Sequence, residues 1–209
     1  MNLFPVFLKL GGRPCLVVGA ETVGEGKIRG LLEAGAEVRV VAPHAGAAVK
    51  AWARAGQITW HARPFAASDL EGAFLVVVAT PRRELNDAVF RQAQQAGILC
   101  NVVDDPERCD FYYPSVVQRA DFQIAISTGG HSPFLAQRLR QEFEQTFGPE
   151  YGVWVEWLGK VRRRLFRMSI DPERRRRLLR RLASREQFET FIRRRASRDR
   201  TEVGADIQR

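Results

Sequence analysis

Cysteine is scarce in this chain. Cys15, Cys100 and Cys109 are the only three in 209 residues, none belongs to a C-x-x-C pair, and an odd number leaves a disulfide framework incomplete. A small disulfide-stapled scaffold and a cysteine-built metal ribbon are thereby excluded. Cys15 and Cys100 sit inside apolar runs, where a cysteine serves as a small hydrophobe. Histidine is equally thin: His44, His61 and His131 are scattered, with no close metal-ligand cluster. Long apolar runs are absent as well. No eighteen consecutive apolar residues exist to cross a membrane, and Met1-Asn2-Leu3-Phe4-Pro5 lacks the basic start and apolar stretch of a signal peptide. The expectation is a cytoplasmic protein with reduced thiols and no membrane contact. No internal repeat is visible.

What is present is apolar in one part and basic in another. Hydrophobic residues make up 45% of the chain, enough at this length for a sizeable core in one domain with or without a smaller appendage. The net charge of +9 is unevenly spread. Residues 1–159 hold 15 basic and 17 acidic side chains, residues 160–200 hold 17 and 5, and the last nine hold 1 and 2. Arg162-Arg163-Arg164, Arg174 to Arg177 with Arg180-Arg181, and Arg193-Arg194-Arg195 supply it, with Leu178, Leu179 and Leu182 interleaved. Three readings stay open for this stretch: a solvated helical face, a carboxylate-binding lid, or a site for nucleic acid or an acidic partner, the last being least favoured. Ser197 to Arg209 are expected to lack fixed structure.

The first hundred residues alternate between two periods. Apolar runs of strand length (Pro14 to Gly19, Glu37 to Ala42, Ile58 to Trp60, Phe74 to Ala79, Ile98 to Val103) alternate with helical spacing at about 22–34, 45–55 and 84–96. Strands of continuous Val, Ile and Leu imply burial on both faces, hence a parallel sheet covered by helices. The fold class is α/β: a Rossmann-like doubly wound parallel sheet over 1–113, then a small α+β unit over 114–147 and a helical, arginine-rich region over 148–209. In such sheets ligands bind beyond the carboxyl ends of the strands, which here are Gly19, Ala42, Thr80 and Asp104.

Val18-Gly19-Ala20-Glu21-Thr22-Val23-Gly24 follows a strand and opens a helix, the context of a dinucleotide fingerprint. Gly19 and Gly24 fit the first and third glycine positions. Glu21 stands where a second glycine lets phosphate approach the backbone, and the second strand ends in Ala42-Pro43-His44 without the acidic residue that binds an adenine ribose. Nucleotide binding and a plain structural turn both remain open on these residues. Asp104-Asp105-Pro106 reads either as a backbone-capping turn or as a base at a strand end. Ser127 to Pro133 holds two adjacent glycines and three hydroxyls ahead of a helix. It reads as an anion loop joined by Arg138 and Arg140, as a turn N-capped by Ser132, or as both.

An ordered series of segments resembles the siroheme synthase N-terminal family, the precorrin-2 dehydrogenases. It comprises Phe4 to Leu10, Val17-Val18-Gly19, Lys27 with Leu31 to Ala36, Val40 to Pro43, Asn101 to Asp104, Tyr113-Pro114-Ser115 and Ser127 to Pro133, and spans roughly 1–145. The family commonly has three glycines at 19–21 and an arginine before the lysine; this chain has Gly19-Ala20-Glu21 and Gly26. The resemblance implies oxidation of precorrin-2, a polyanionic tetrapyrrole, to sirohydrochlorin with NAD as acceptor, and in some members insertion of ferrous iron. It also implies a homodimer that exchanges its middle segment.

By the same resemblance Asp104 is the catalytic carboxylate. The resemblance also places Thr22, Val23, Pro43 and His44 where the dinucleotide is contacted, and the glycine turn and strand ends add Gly19, Gly24, Thr80 and Asn101 to the expected cofactor residues. Ser127, Thr128, Gly129, Gly130, His131, Ser132 and Arg138 are the expected substrate residues, with no metal ligand assigned. The methyltransferase domain often fused behind this module is not expected in the 64 residues after 145. The alternative function is a non-catalytic tetrapyrrole or nucleotide-binding module whose basic tail recruits an enzyme or RNA.

Overall fold

The computed structural model describes residues 3–206, with side chains through residue 195. Packing divides the chain into two compact units, one up to Tyr113 and one from Pro114 onward. The first carries strands β1 (Pro14–Val18), β2 (Glu37–Val41), β3 (Ile58–His61), β4 (Leu75–Val78) and β5 (Leu99–Val102), with helices α1 (Thr22–Glu33), α2 (Ala47–Arg54) and α3 (Arg83–Gln95). All five strands are parallel, in the order β3-β2-β1-β4-β5.

Alternate side chains on each strand enter opposite cores. Cys15, Val17, Val38, Val40, Leu75 and Val77 pack with Ile28 and Leu31 of α1 and Val49 of α2. Leu16, Val18, Val41, Val76 and Val78 pack with Val89 and Ala93 of α3. With both faces covered, a polar residue on either side would be buried, which is why the central strands β1 and β4 read as unbroken apolar runs. Each fully buried Val or Leu contributes roughly 1.5–3 kcal/mol. Burial pushes the Cys15 and Cys100 thiols up to about 11 and about 12, so both remain protonated core hydrophobes.

The connection from β3 to β4 contains a buried carboxylate that no sequence pattern flagged. Asp69 accepts hydrogen bonds from both terminal nitrogens of Arg63 (2.8 and 2.6 Å) and from the Ala66 backbone N–H (2.8 Å). The Arg63 guanidinium holds it below the usual carboxylate range.

The second unit opens with an antiparallel hairpin of β6 (Ser115–Arg119) and β7 (Phe122–Ile126), then α4 (Pro133–Thr146), α5 (Glu150–Arg167), α6 (Pro172–Leu182) and α7 (Arg185–Asp206). The strand β6 was not apparent in the sequence. The hairpin turns through Ala120 in the left-handed region (φ 51°), and α5 lies against that turn. A Cβ on Gly152 would come within 2.6 Å of the Arg119 carbonyl oxygen, so glycine is what lets the helix approach. Rings replace the aliphatic core: Phe122, Phe147, Tyr151, Trp154 and Phe188 form a chain of contacts with centroids 4.4–5.5 Å apart between neighbours.

Helices α5 to α7 share one unit with the hairpin and α4. Where the chain was expected to lack structure from Ser197, α7 continues to Asp206, because no proline and no glycine interrupts it before Gly204. Residues 207–209 lie outside the described residues. Among the described residues, no helix is long and apolar enough to cross a membrane.

Candidate functional site

The carboxyl ends of the strands are level. Val18 is in register with Val41 on one side and Val78 on the other, and Val78 with Val102. Strand order reverses between β1 and β4, so the two chain segments leaving these strands diverge and leave a crevice, the usual ligand position in such a sheet.

Gly19 leaves β1 at φ 103°, and a Cβ there would lie 2.2 Å from the Ala79 carbonyl oxygen. No other residue fits. A Cβ on Gly24 would lie 2.3 Å from the Gly19 carbonyl oxygen, so α1 rests directly on the turn. The glycines are thus explained by close packing, as the first and third glycines of a fingerprint are. Glu21, at the N-cap, has extended backbone (φ −85°, ψ −171°) that any residue adopts, and its side chain makes no capping bond. The first-turn amides of Thr22, Val23 and Gly24 have no partner within the helix, and Thr22 and Val23 are exposed. These amides, with the positive end of α1, can hold an anion.

Pro43 and His44 are exposed just beyond β2, and the carbonyl of Ala42, which follows the strand, accepts the Trp60 indole N–H at 3.0 Å. Thr80 follows β4. Its Oγ1 donates to Asn86 Oδ1 (2.6 Å) and accepts the Arg82 N–H (3.2 Å), which ties the strand end to α3. Asn101 is placed differently from the others. It is buried within β5, and its amide donates to the Phe111 carbonyl oxygen (2.7 Å) and Cys109 Sγ (3.3 Å), pinning the returning loop.

That loop presents Asp104. The backbone of Asp104 is left-handed (φ 62°), a region uncommon for a residue with a side chain and tolerated best by Asn and Asp. Its carboxylate is exposed and enters no hydrogen bond or ion pair among the described residues. Two of its acidic neighbours are committed, while Glu107 is exposed without a partner among the described residues. Asp105 pairs with Arg108 at 2.6 Å, Arg108 pairs in turn with Asp87 of α3 at 2.5 Å, and Asp110 accepts from the Cys100 N–H and Gln94. Cys109 Sγ donates to the Val102 and Asp105 carbonyls, both at 3.2 Å. A braced loop that presents the unpaired carboxylate of Asp104 at the ligand end of the sheet suits proton abstraction.

In the sequence Lys27 stands out only through the family resemblance. It lies on α1 at spacings of three and four from the buried Gly24 and Leu31, a flank of the apolar face, which is the signal that marks it. Its Nζ sits 3.7 Å from the centroid of the Tyr113 ring.

In the second unit, the hydroxyls of the glycine loop are used within it. Thr128 Oγ1 donates to the Ser132 carbonyl (3.0 Å) and accepts the Ser132 N–H (3.2 Å); Ser127 Oγ accepts the Gly129 N–H (3.1 Å); Ser132 Oγ caps α4 through the Leu135 N–H (3.2 Å). Gly129 and Gly130 are left-handed at 62° and 82°, His131 is exposed, and Arg138 pairs with Glu142 at 3.3 Å. Among the described residues, no three His, Cys, Asp or Glu side chains group to hold a metal.

Residues 6–115 match the family described as "Putative NAD(P)-binding", and residues 120–146 match "Sirohaem biosynthesis protein central". The chain belongs to this siroheme-synthesis family of NAD(P)-binding proteins. Siroheme synthase 1 of Aeromonas salmonicida is 42% identical over 165 residues, 79% of this chain and 35% of that protein. A Neisseria meningitidis siroheme synthase is 43% identical over 162 residues, 78% of this chain and 34% of its own. The chain therefore spans about a third of the length of these curated relatives. Among solved structures, SirC, precorrin-2 dehydrogenase, superposes with a TM-score of 0.79 at 27% identity, over 96% of this chain and all of that one.

Proposed function

We propose that this chain oxidises precorrin-2 to sirohydrochlorin with NAD as acceptor, working in the cytoplasm as a homodimer. One observation carries the reading: a dinucleotide-type crevice at the strand ends shares its sheet edge with an uncommitted carboxylate, Asp104, on a braced loop. Similarity to SirC over the whole of that chain supports the substrate.

The residues fit a nicotinamide dinucleotide. Gly19 and Gly24 bring α1 onto the β1 turn, the amides of Thr22 to Gly24 receive phosphate, and Pro43, His44 and Thr80 border the crevice. Bound there, the dinucleotide supplies a hydride acceptor. Dehydrogenation removes a hydride from a ring carbon and a proton from carbon or nitrogen, and Asp104 takes the proton, being an unpaired carboxylate just beyond the end of β5. Arg108 keeps the loop in place by spanning Asp87 and Asp105.

The glycine loop at 127–132 and Arg138 are proposed to receive rim carboxylates of the tetrapyrrole. The left-handed Gly129 and Gly130 favour this by turning backbone amides outward. A homodimer is supported by apolar side chains that the second unit leaves in solvent, notably Phe134 at 84% exposure.

The test follows absorbance as the protein meets enzymatically generated precorrin-2 and NAD without iron, then with ferrous iron under anaerobic conditions. NAD-dependent sirohydrochlorin formation is expected from the wild type. Asp104→Ala should lower turnover by about 10²–10⁴-fold, with NAD affinity unchanged. Acceleration over a protein-free control on adding iron would extend the reading to ferrous iron as a second substrate. Absence of NAD-dependent oxidation would return the chain to a binding module.

A further inference from the structure

Lys27 is a cation without a counterion. It is half-buried on α1, its Nζ stands 3.7 Å from the Tyr113 ring centroid, and among the described residues no carboxylate reaches ion-pair distance. Three other cations of the unit, Arg29, Arg63 and Arg108, each meet a carboxylate at 2.5–3.0 Å; Lys27 is half-buried and meets none among the described residues. Burying an ammonium without an anion is unfavourable, and a ring face recovers only part of the lost hydration. Burial accordingly holds the Lys27 ammonium below its ordinary pKa, opposed by the negative charge of Asp104 and by Cys109. Asp104 is near enough to be felt but outside ion-pair range, and the adjacent acids, Asp105 and Asp110, are committed elsewhere.

We propose that Lys27, on its Tyr113 platform beside Asp104, is an oxyanion subsite that takes one rim carboxylate of the tetrapyrrole and so fixes which ring carbon faces the cleft. This rests on the dehydrogenase reading above and adds to it a residue that anchors substrate next to the base. A carboxylate of the ligand completes the arrangement because it supplies the missing counterion at a partly dehydrated site, where a charge-assisted bond is strongest. The other oxyanion in the system is the dinucleotide phosphate. It already has the first-turn amides of α1, and Lys27 lies about a turn further along the helix, so substrate is the favoured source.

The test compares wild type, Lys27→Met and Lys27→Arg in three measurements: KM for precorrin-2, equilibrium binding of sirohydrochlorin by fluorescence quenching, and NAD binding by calorimetry. Loss of the ammonium should weaken both tetrapyrrole measurements by about ten- to a hundredfold, leave NAD binding within about twofold, and leave the melting temperature unchanged or higher, while Lys27→Arg recovers most of the affinity. Weakened NAD binding with unchanged tetrapyrrole binding would assign the oxyanion to the cofactor and overturn the proposal. So would unchanged binding of both. Failure of the dehydrogenase reading looks different: the wild type itself would then fail to oxidise precorrin-2, while the sirohydrochlorin titration still reports on Lys27.

Discussion

The first unit holds itself together with aliphatic side chains packed on two sheet faces; among the described residues the second has three buried apolar residues, Val117, Ile126 and Ala136, and relies on rings. Charge divides the chain in much the same way, since residues 160–200 hold 17 basic and 5 acidic side chains while residues 1–159 are nearly balanced. The contrast teaches where each unit's stability comes from. The sheet is sealed on both faces, although Leu3 to Leu8 of the same unit leave apolar side chains in solvent, Phe4 at 87% exposure. Two strands and four helices with little buried leave apolar surface for a partner to cover.

Glycine substitutions test that contrast most severely. Gly19→Ala drives a methyl to 2.2 Å from a backbone oxygen at a φ of 103°, and should cost at least about 3 kcal/mol. Gly152→Ala meets the Arg119 carbonyl at 2.6 Å in a helix of the second unit, and should cost about 1–3 kcal/mol. Each unit holds two tryptophans, Trp52 and Trp60 in one, Trp154 and Trp157 in the other. Urea titrations of variants that keep a single pair therefore read each unit separately. Gly19→Ala should move the midpoint seen by Trp52 and Trp60, and Gly152→Ala the one seen by Trp154 and Trp157. Equal shifts of both probes by both substitutions would show that the units unfold as one and erase the comparison.

The next effect separates stability from chemistry within the first unit. Asp104 has a left-handed backbone that glycine adopts freely. Asp104→Gly should therefore change stability by less than about 1 kcal/mol while lowering turnover as far as Asp104→Ala does. A melting temperature lowered along with activity would mean that the carboxylate holds the loop rather than serving the reaction.

How much of this was legible in the sequence follows from periodicity. Runs such as Leu75 to Val78 announce a strand buried on both faces, and the five strands follow with their helices. Gly19 and Gly24 announce a turn that needs close approach, and the structure supplies the oxygens they approach. The strand β6 was hidden because Ser115 to Arg119 has a single fully buried position, Val117, and so shows little apolar alternation. The pairing of Arg108 with Asp87 was hidden because it joins residues 21 apart in sequence on different elements. Asn101, read as a cofactor residue from its place near a strand end, is spent on the Phe111 carbonyl; pattern gives a side chain's position but not its partner.

Glu21 offers a smaller test, confined to the phosphate turn. Its backbone is unstrained and its side chain exposed, so its effect on a bound pyrophosphate is long-range repulsion through solvent, about 1 kcal/mol or less. Glu21→Gly should tighten NAD binding by about two- to fivefold at low salt, with the gain shrinking as salt rises. A much larger gain would show that the native turn is blocked rather than merely repelled, and would favour the binding-module reading.

The smallest expected effect is the pH dependence that Lys27 imposes on the first unit. Burial lowers its pKa in the fold relative to the unfolded chain, so the unfolded state binds the proton more readily. The resulting penalty is fully present at neutral pH and disappears as pH climbs towards the ordinary lysine value of about 10.4. Lys27→Met should thus be at least as stable as wild type at pH 7, with the two converging near pH 10 in urea titrations followed at Trp52 and Trp60. Were Lys27 instead held by an ion pair with Asp104, its pKa would be raised, wild type would be the more stable at pH 7, and its advantage would fade with rising pH. The sign of that one difference decides whether the lysine is satisfied within the fold or left awaiting an anion.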